Sequence, residues 1–196
     1  MLQIDTMVLG NLDTNTYIVR PVGSSRCIVI DPADEAERIL SFLQENNLTI
    51  EAICLTHGHF DHVRAVKALA ATTGCRVYLN PVETEMPARL TAGQLHYTDA
   101  YPPEGQLAVA GMTLRLLHTP GHTAGSMCLL VEDALFSGDT LFAGSCGRTD
   151  LPGGSRKKMR DSLAMLRELE GDLSVYPGHG EATTLTREKQ SNPYLM

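Results

Sequence analysis

Tryptophan is absent from the 196-residue chain, and all aromatic residues together make up only 5% of it. So few rings argue against an aromatic platform for stacking nucleic-acid bases. Positive charge is scarce as well: 16 Lys and Arg stand against 23 Asp and Glu, a formal charge of -7. That balance disfavours a polyphosphate partner, a local basic patch aside. No apolar stretch approaches the roughly 18 residues of a membrane helix, and no charged-then-apolar leader opens the chain. The expectation is a soluble, cytoplasmic protein with neither nucleic acid nor membrane as a partner. Cys27, Cys54, Cys75, Cys128 and Cys146 are odd in number and without CxxC spacing. Most lie in apolar, strand-like runs, which predicts buried, reduced thiols.

An apolar share of 43% and a charged share of 20% are ordinary for a globular protein. The length suits one well-buried core, and no linker or low-complexity segment interrupts it, so residues 1–196 are expected to form one domain. Alternation and turn clusters predict strands at 2–9, 17–20 and 27–30, with a turn across Gly10 to Asn15. Asp34 is expected to cap a helix reaching about Gln44. A strand over 50–55, a helix after it closed by Gly74, a strand over 76–79 and a short helix opened by Pro81 follow. Residues 87–105 carry proline and glycine without periodicity, and read either as an active-site cover or as a plain connection. Strands are expected again at 106–110, 112–117, 126–131 and 134–136, then a helix over about 155–170 and a strand at 173–176. Strand-rich segments alternating twice with helices suggest two similar halves packed sheet on sheet, helices outside.

The abundant feature is histidine in one place. Thr56-His57-Gly58-His59-Phe60-Asp61-His62 holds three of the chain's seven histidines and an aspartate. It follows the buried-strand run Ile50 to Leu55 and precedes a helical pattern, so it sits on a strand-to-helix turn. In extended backbone, residues i and i+2 point the same way, and His57 and His59 can share one ion. Asp61 and His62 open the helix and can reach a second, Asp61 where a helix N-terminus favours an anion. Three further strand ends carry Pro120-Gly121-His122-Thr123, Ser137-Gly138-Asp139-Thr140 and Pro177-Gly178-His179-Gly180. Face-to-face sheets would return them to His57, giving five His and two Asp, close to what two ions need when one carboxylate bridges them. His118 is expected to pack in the core or at a strand end, with support of the adjacent His122 turn as the alternative, and His96 is expected to be solvated.

These four motifs, in this order, resemble the metallo-β-lactamase superfamily over nearly the whole chain. The resemblance implies an α/β (α+β) four-layer αββα sandwich, with two mixed sheets face to face and a dinuclear centre at one edge. It places His57, His59 and His122 on a first metal, Asp61, His62 and His179 on a second, and Asp139 between them. Two divalent ions are implied, zinc first, with iron or manganese as alternatives. The segment from Gly138 to Gly154 is similar to short bacterial proteins of the glyoxalase II group, which hydrolyse S-acyl glutathione thioesters. In typical members a basic residue after the Cys-Gly pair holds the glutathione, and Arg148 occupies that position.

The resulting expectation is a hydroxyacylglutathione hydrolase-like thioesterase acting on a small-molecule, glutathione-derived or related thioester, as a monomer or weak homodimer. Asp61 would align the attacking hydroxide, making it the catalytic residue besides its ligand role. Arg148 would bind a substrate carboxylate or, alternatively, pair with Asp150. Arg156, Lys157, Lys158 and Arg160 read as an anion-collecting rim or as a solvated helix face. Cys146-Gly147-Arg148-Thr149-Asp150 also resembles the superfamily's persulfide dioxygenases, in which counterparts of His57, His122 and Asp139 hold one iron. A metal-binding redox-partner module is the non-enzyme alternative.

Overall fold

The first two strands show how position in a sheet decides which residues are buried. β1 (Leu2–Leu9) is an edge strand and is largely half-open, whereas β2 (Thr14–Pro21), flanked on both sides, is buried along almost its whole length. The computed structural model describes all residues from 1 to 196. β1 and β2 continue into β3 (Arg26–Ile30), β4 (Thr49–Cys54), β5 (Arg76–Leu79) and β6 (Asp99–Ala100), adjacent in that order. The first pairings are antiparallel and those from β3 to β6 parallel. Parallel neighbours need crossovers. α1 (Ala36–Glu45) makes one, and α2 (Phe60–Val63) with α3 (Val66–Thr73) makes the next.

The second sheet contains β7 (Gln106–Val109), β8 (Met112–His118), β9 (Met127–Val131), β10 (Ala134–Gly138), β13 (Ser174–Pro177) and β14 (Thr183–Thr184), side by side in that order. Between β10 and β13 come the hairpin β11 (Leu141–Phe142)–β12 (Ser145–Cys146) and helix α4 (Arg156–Arg167), and α5 (Leu185–Ser191) closes the fold. Val19, Ile28, Ala52, Leu114, Leu129 and Phe136 fill the space between the sheets. Ile39, Leu43 and Leu69 pack α1 and α3 on one outer face; Leu163, Leu166 and Leu185 pack α4 and α5 on the other. Met159, Leu163 and Leu166 lie one helical turn apart, so a single stripe of α4 is apolar. The layers run αββα, as expected.

Some local expectations are corrected. Asp34 does not cap α1: Glu35, with φ of 51°, stands at the N-cap, and Asp34 accepts the Glu35 amide and pairs with Arg64. The turn after β1 is shorter than Gly10 to Asn15, because Thr14 and Asn15 already pair in the sheet. The helix after the histidine motif breaks at Arg64 and Ala65, whose amides bond to the carbonyls of Ala33 and Pro32. Residues 87–105 hold the two-residue strand β6 but are otherwise loop. They pack on the motif, with Leu90 accepting the Phe60 amide and Leu95 beside Gly58. The elements β11, β12, β14 and α5 lie outside the sequence expectations; all but α5 are two-residue strands, too short to carry a period. No helix is long and apolar enough to cross a membrane.

Candidate metal centre

Four loops at one edge of the sandwich bring the histidines together. The motif leaves β4, the His122 turn joins β8 to β9, Asp139 follows β10, and His179 follows β13. The sheets are stitched at this edge: Met127 donates its amide to Thr56, and Asn15 donates to Gly178. Two glycines permit the convergence. A Cβ on Gly178 would collide with Asp139 Oδ1, and one on Gly147 with the Asp139 carbonyl.

His57, His59 and His122 each offer a ring nitrogen within 4.8 Å of the others, and Asp61, His62 and His179 form a second such group. His59 Nδ1 lies 2.8 Å from His122 Nε2. Asp139 stands between the groups, with Oδ2 3.4 Å from His122 Nε2 and 3.7 Å from His179 Nε2, and Oδ1 3.4 Å from His62 Nε2. Asp61 Oδ2 is 3.2 Å from His179 Nε2 and accepts from the Thr14 hydroxyl. The nitrogen His57 Nε2, its equivalents on His59 and His62, and Asp139 Oδ1 are buried without a hydrogen-bond partner. Buried polar atoms are rarely orphaned. Imidazole nitrogens and carboxylate oxygens in this arrangement fit divalent metal ions.

The opposite ring nitrogens are held in place. His57 Nδ1 donates to Thr56 Oγ1, whose hydroxyl donates to Asp31; Asp31 also accepts the Thr56 amide and faces His62 Nδ1 at 2.9 Å. His122 Nδ1 meets the Arg148 carbonyl at 2.8 Å, and His179 Nδ1 the Leu12 carbonyl at 3.1 Å. Such partners orient metal-binding imidazoles. Sequence reading missed Asp31, Thr56 and Asn15. The available signal for Asp31 was an acid ending the strand that runs parallel to the motif strand.

Protonation differs between the groups. Burial, reinforced by neighbouring imidazoles, holds His57 well below the usual histidine range and His59 at about 4. Burial also lowers His122. For His62 burial acts the same way, but the carboxylates of Asp139, Asp31 and Asp61 outweigh it and raise it to about 9. His179 is raised against its burial by its bond to Asp61. Burial would raise Asp61, yet the His179 bond and the His62 charge leave it lowered.

The remaining candidates divide. Arg148 is exposed and forms a bidentate pair with Asp150, both contacts at 2.8 Å, which is the alternative left open by the sequence. Arg156 and Arg160 line a groove of about 670 Å³ with Cys146, Arg148 and Tyr194, whereas Lys157 pairs with Asp161 along α4. His118 is exposed rather than packed in the core, and it bonds the Ala124 carbonyl in the His122 turn, the alternative role; His96 is exposed, as expected. All five cysteines are free, four of them buried.

Residues 9–179 match the family model of the metallo-β-lactamase superfamily. The hydroxyacylglutathione hydrolase GloC of Haemophilus influenzae is 35% identical over 182 residues, covering 85% of this chain and 86% of its own. Among solved structures, BLEG-1 B3 metallo-beta-lactamase superposes with a TM-score of 0.92 at 32% identity, covering 99% of this chain and 100% of that one. TTHA1623, solved in a di-iron-bound form, gives 0.84 at 37% identity, covering 97% and 100%. The chain belongs to the metallo-β-lactamase superfamily, as a metal-dependent hydrolase.

Proposed function

We propose that the protein is a thioester hydrolase of the glyoxalase II kind, acting on S-2-hydroxyacylglutathione or a related thioester. His57, His59 and His122 would hold one divalent ion, Asp61, His62 and His179 a second, with Asp139 shared. The observation that carries the dinuclear reading is the position of Asp139, one oxygen facing His122 and the other His62. Bound divalent ions supply a hydroxide at neutral pH and a Lewis acid for a carbonyl. Asp61, partly open to solvent and anchored by Thr14, would orient the attacking water.

The choice of a thioester rests on the leaving group. An amide nitrogen needs a proton as it departs, whereas a thiolate of parent pKa about 8.5 does not. The carboxylates nearest the centre are already engaged. Asp31 is bound by Thr56 and His62, Asp61 and Asp139 face the histidines, and Glu83 is held by two amides. The likeness to GloC supports glutathione as the thiol. Arg148 would bind a carboxylate of that thiol after exchanging Asp150 for it.

Metal-replete protein should consume S-lactoylglutathione, followed by loss of thioester absorbance, and His57→Ala should not. No turnover by protein shown to hold its metal would remove glutathione thioesters as substrates. The resemblance around Cys146 to Asp150 supports a second reading, a persulfide dioxygenase using His57, His122 and Asp139. Oxygen uptake with glutathione persulfide and one iron per chain would replace the first reading with it. Hydrolysis of a β-lactam, the activity named for BLEG-1, is the third assay of the set.

A further inference from the structure

Glu83 is a carboxylate that belongs to neither group of candidate metal ligands. It lies in the five-residue 3-10 helix Pro81–Glu85 and is completely buried. It forms no ion pair with Lys or Arg; Oε2 accepts the Gly58 amide at 2.7 Å and Oε1 accepts the Gly125 amide at 2.7 Å. Burying a carboxylate is costly unless hydrogen bonds compensate it, and a well-packed apolar side chain would fill the same volume at less cost. The identity of the two donors is informative. Gly58 separates His57 from His59, and Gly125 ends the turn that carries His122. One side chain thus ties together the two loops, from different sheets, that bring in the three imidazoles of the first group.

The surroundings leave those loops little freedom. A Cβ on Gly125 would sit 2.7 Å from Glu83 Oε1, and a Cβ on Gly58 would sit 2.7 Å from Leu95 Cδ1. Asn80 accepts the Val82 amide and so caps the short helix that presents Glu83. In the His122 turn, Thr123 and Ser126 bond through amide and hydroxyl, so the turn moves as a unit with Gly125. Its position relative to His57 and His59 is set where it is tied to the motif, by Glu83 and by the Met127–Thr56 bond.

We propose that Glu83 is the positioning residue of the first metal site: its carboxylate clamps the His57–His59 segment to the His122 turn and sets the spacing at which their imidazoles meet one cation. The inference rests on the metal-site reading of these histidines and is independent of the substrate assigned to the centre.

Cobalt(II) titration of chelator-treated protein tests it, read by d–d absorption and by competition with a chelating indicator. In a His179→Ala background, which disables the second group, Glu83→Gln keeps the volume but turns an NH2 toward one of the two amides. The expected result is a loss of cobalt affinity of about 10–100-fold with a shifted d–d band. In a His59→Ala background, where cobalt binds through the second group, Glu83→Gln should leave affinity unchanged. Gly125→Ala, whose methyl displaces the carboxylate, should reproduce this pattern and carries the test if the Gln variant does not fold. Unchanged affinity in the His179→Ala background, or an equal loss in both, would overturn the proposal; the latter would mark a general packing role. Failure of the parent protein to bind cobalt would overturn the metal-site reading along with it. A protein that binds cobalt as expected but ignores thioesters would leave the clamp standing and remove only the substrate assignment.

Discussion

The two groups of candidate ligands share Asp139 but are built differently. His57, His59 and His122 are 1%, 5% and 3% exposed, their rings are driven to the neutral form by burial and mutual proximity, and two loops from different sheets carry them. In the second group His62 is buried, but the side chains of Asp61 and His179 are 15% and 26% exposed. Carboxylates there favour protonated imidazole. The first group is therefore preset with lone pairs available, whereas a cation entering the second must displace protons. One half of the candidate centre is dry and neutral, and the other is open and titrating.

The largest effect that would test this contrast is expected from His57→Ala. Removing a ligand from the closed half should abolish metal at that site and reduce thioester turnover by more than the roughly 10–100-fold typical of outer partners. Metal analysis alongside kinetics checks it, and retention of two ions per chain with activity would break the division. Asn15→Ala addresses the open half. Asn15 donates its side chain to the carbonyls of Pro177 and Gly180 and its amide to Gly178, so it holds the loop carrying His179. Tyr17 still serves Pro177 in the variant, and water can reach the carbonyl of the exposed Gly180. A stability loss of about 0.5–1.5 kcal/mol is expected, with occupancy of the second site falling before that of the first. Denaturant melts and metal titration separate the two effects.

A pH series on chelated protein sharpens the electrostatic side. His62 is raised to about 9, above its unfolded value of about 6.5, so its stabilisation is complete below 6.5 and lost as pH rises toward 9. His59 is lowered to about 4, so its contribution is present above 6.5 and lost as pH falls toward 4. The melting temperature of metal-free protein should fall on both sides of about 6.5, and His62→Gln should flatten the alkaline limb. The smallest effect is expected from Arg148→Ala. Its exposed guanidinium, in a solvent-screened pair, should alter KM for a carboxylate-bearing thioester only several-fold and leave kcat unchanged. Asp150→Asn should lower KM by freeing the fork.

Much of this candidate centre was legible in the chain because four of its residues are local in sequence. His57, His59, Asp61 and His62 lie within six consecutive positions, and backbone periodicity alone aims pairs of them together. His122, Asp139 and His179 were legible as residues at the ends of apolar runs, since a strand end is where a side chain emerges from a sheet. The layer order likewise followed from periodicity, as each α4 or α1 stripe needs a sheet to cover it. Helix α5 and the two-residue strands are less legible, because short elements are decided by what they pack against.

What the sequence by itself determined is therefore the family, the residue types gathered at one edge of the sandwich and the layers that support them. Only the tertiary structure decided which groups serve those residues. Asp31 reaches His62 and Thr56 across a parallel strand pair, Arg148 serves His122 through its backbone carbonyl, and Glu83 joins the loops of Gly58 and Gly125, which lie 25 and 42 residues from it in sequence. It also decided that Arg148 faces Asp150 and that Glu35, not Asp34, begins α1. Partners of this kind leave no spacing signature. They are fixed by where chain segments remote in sequence come within hydrogen-bonding distance, and that distance is set by the packing of the whole sandwich.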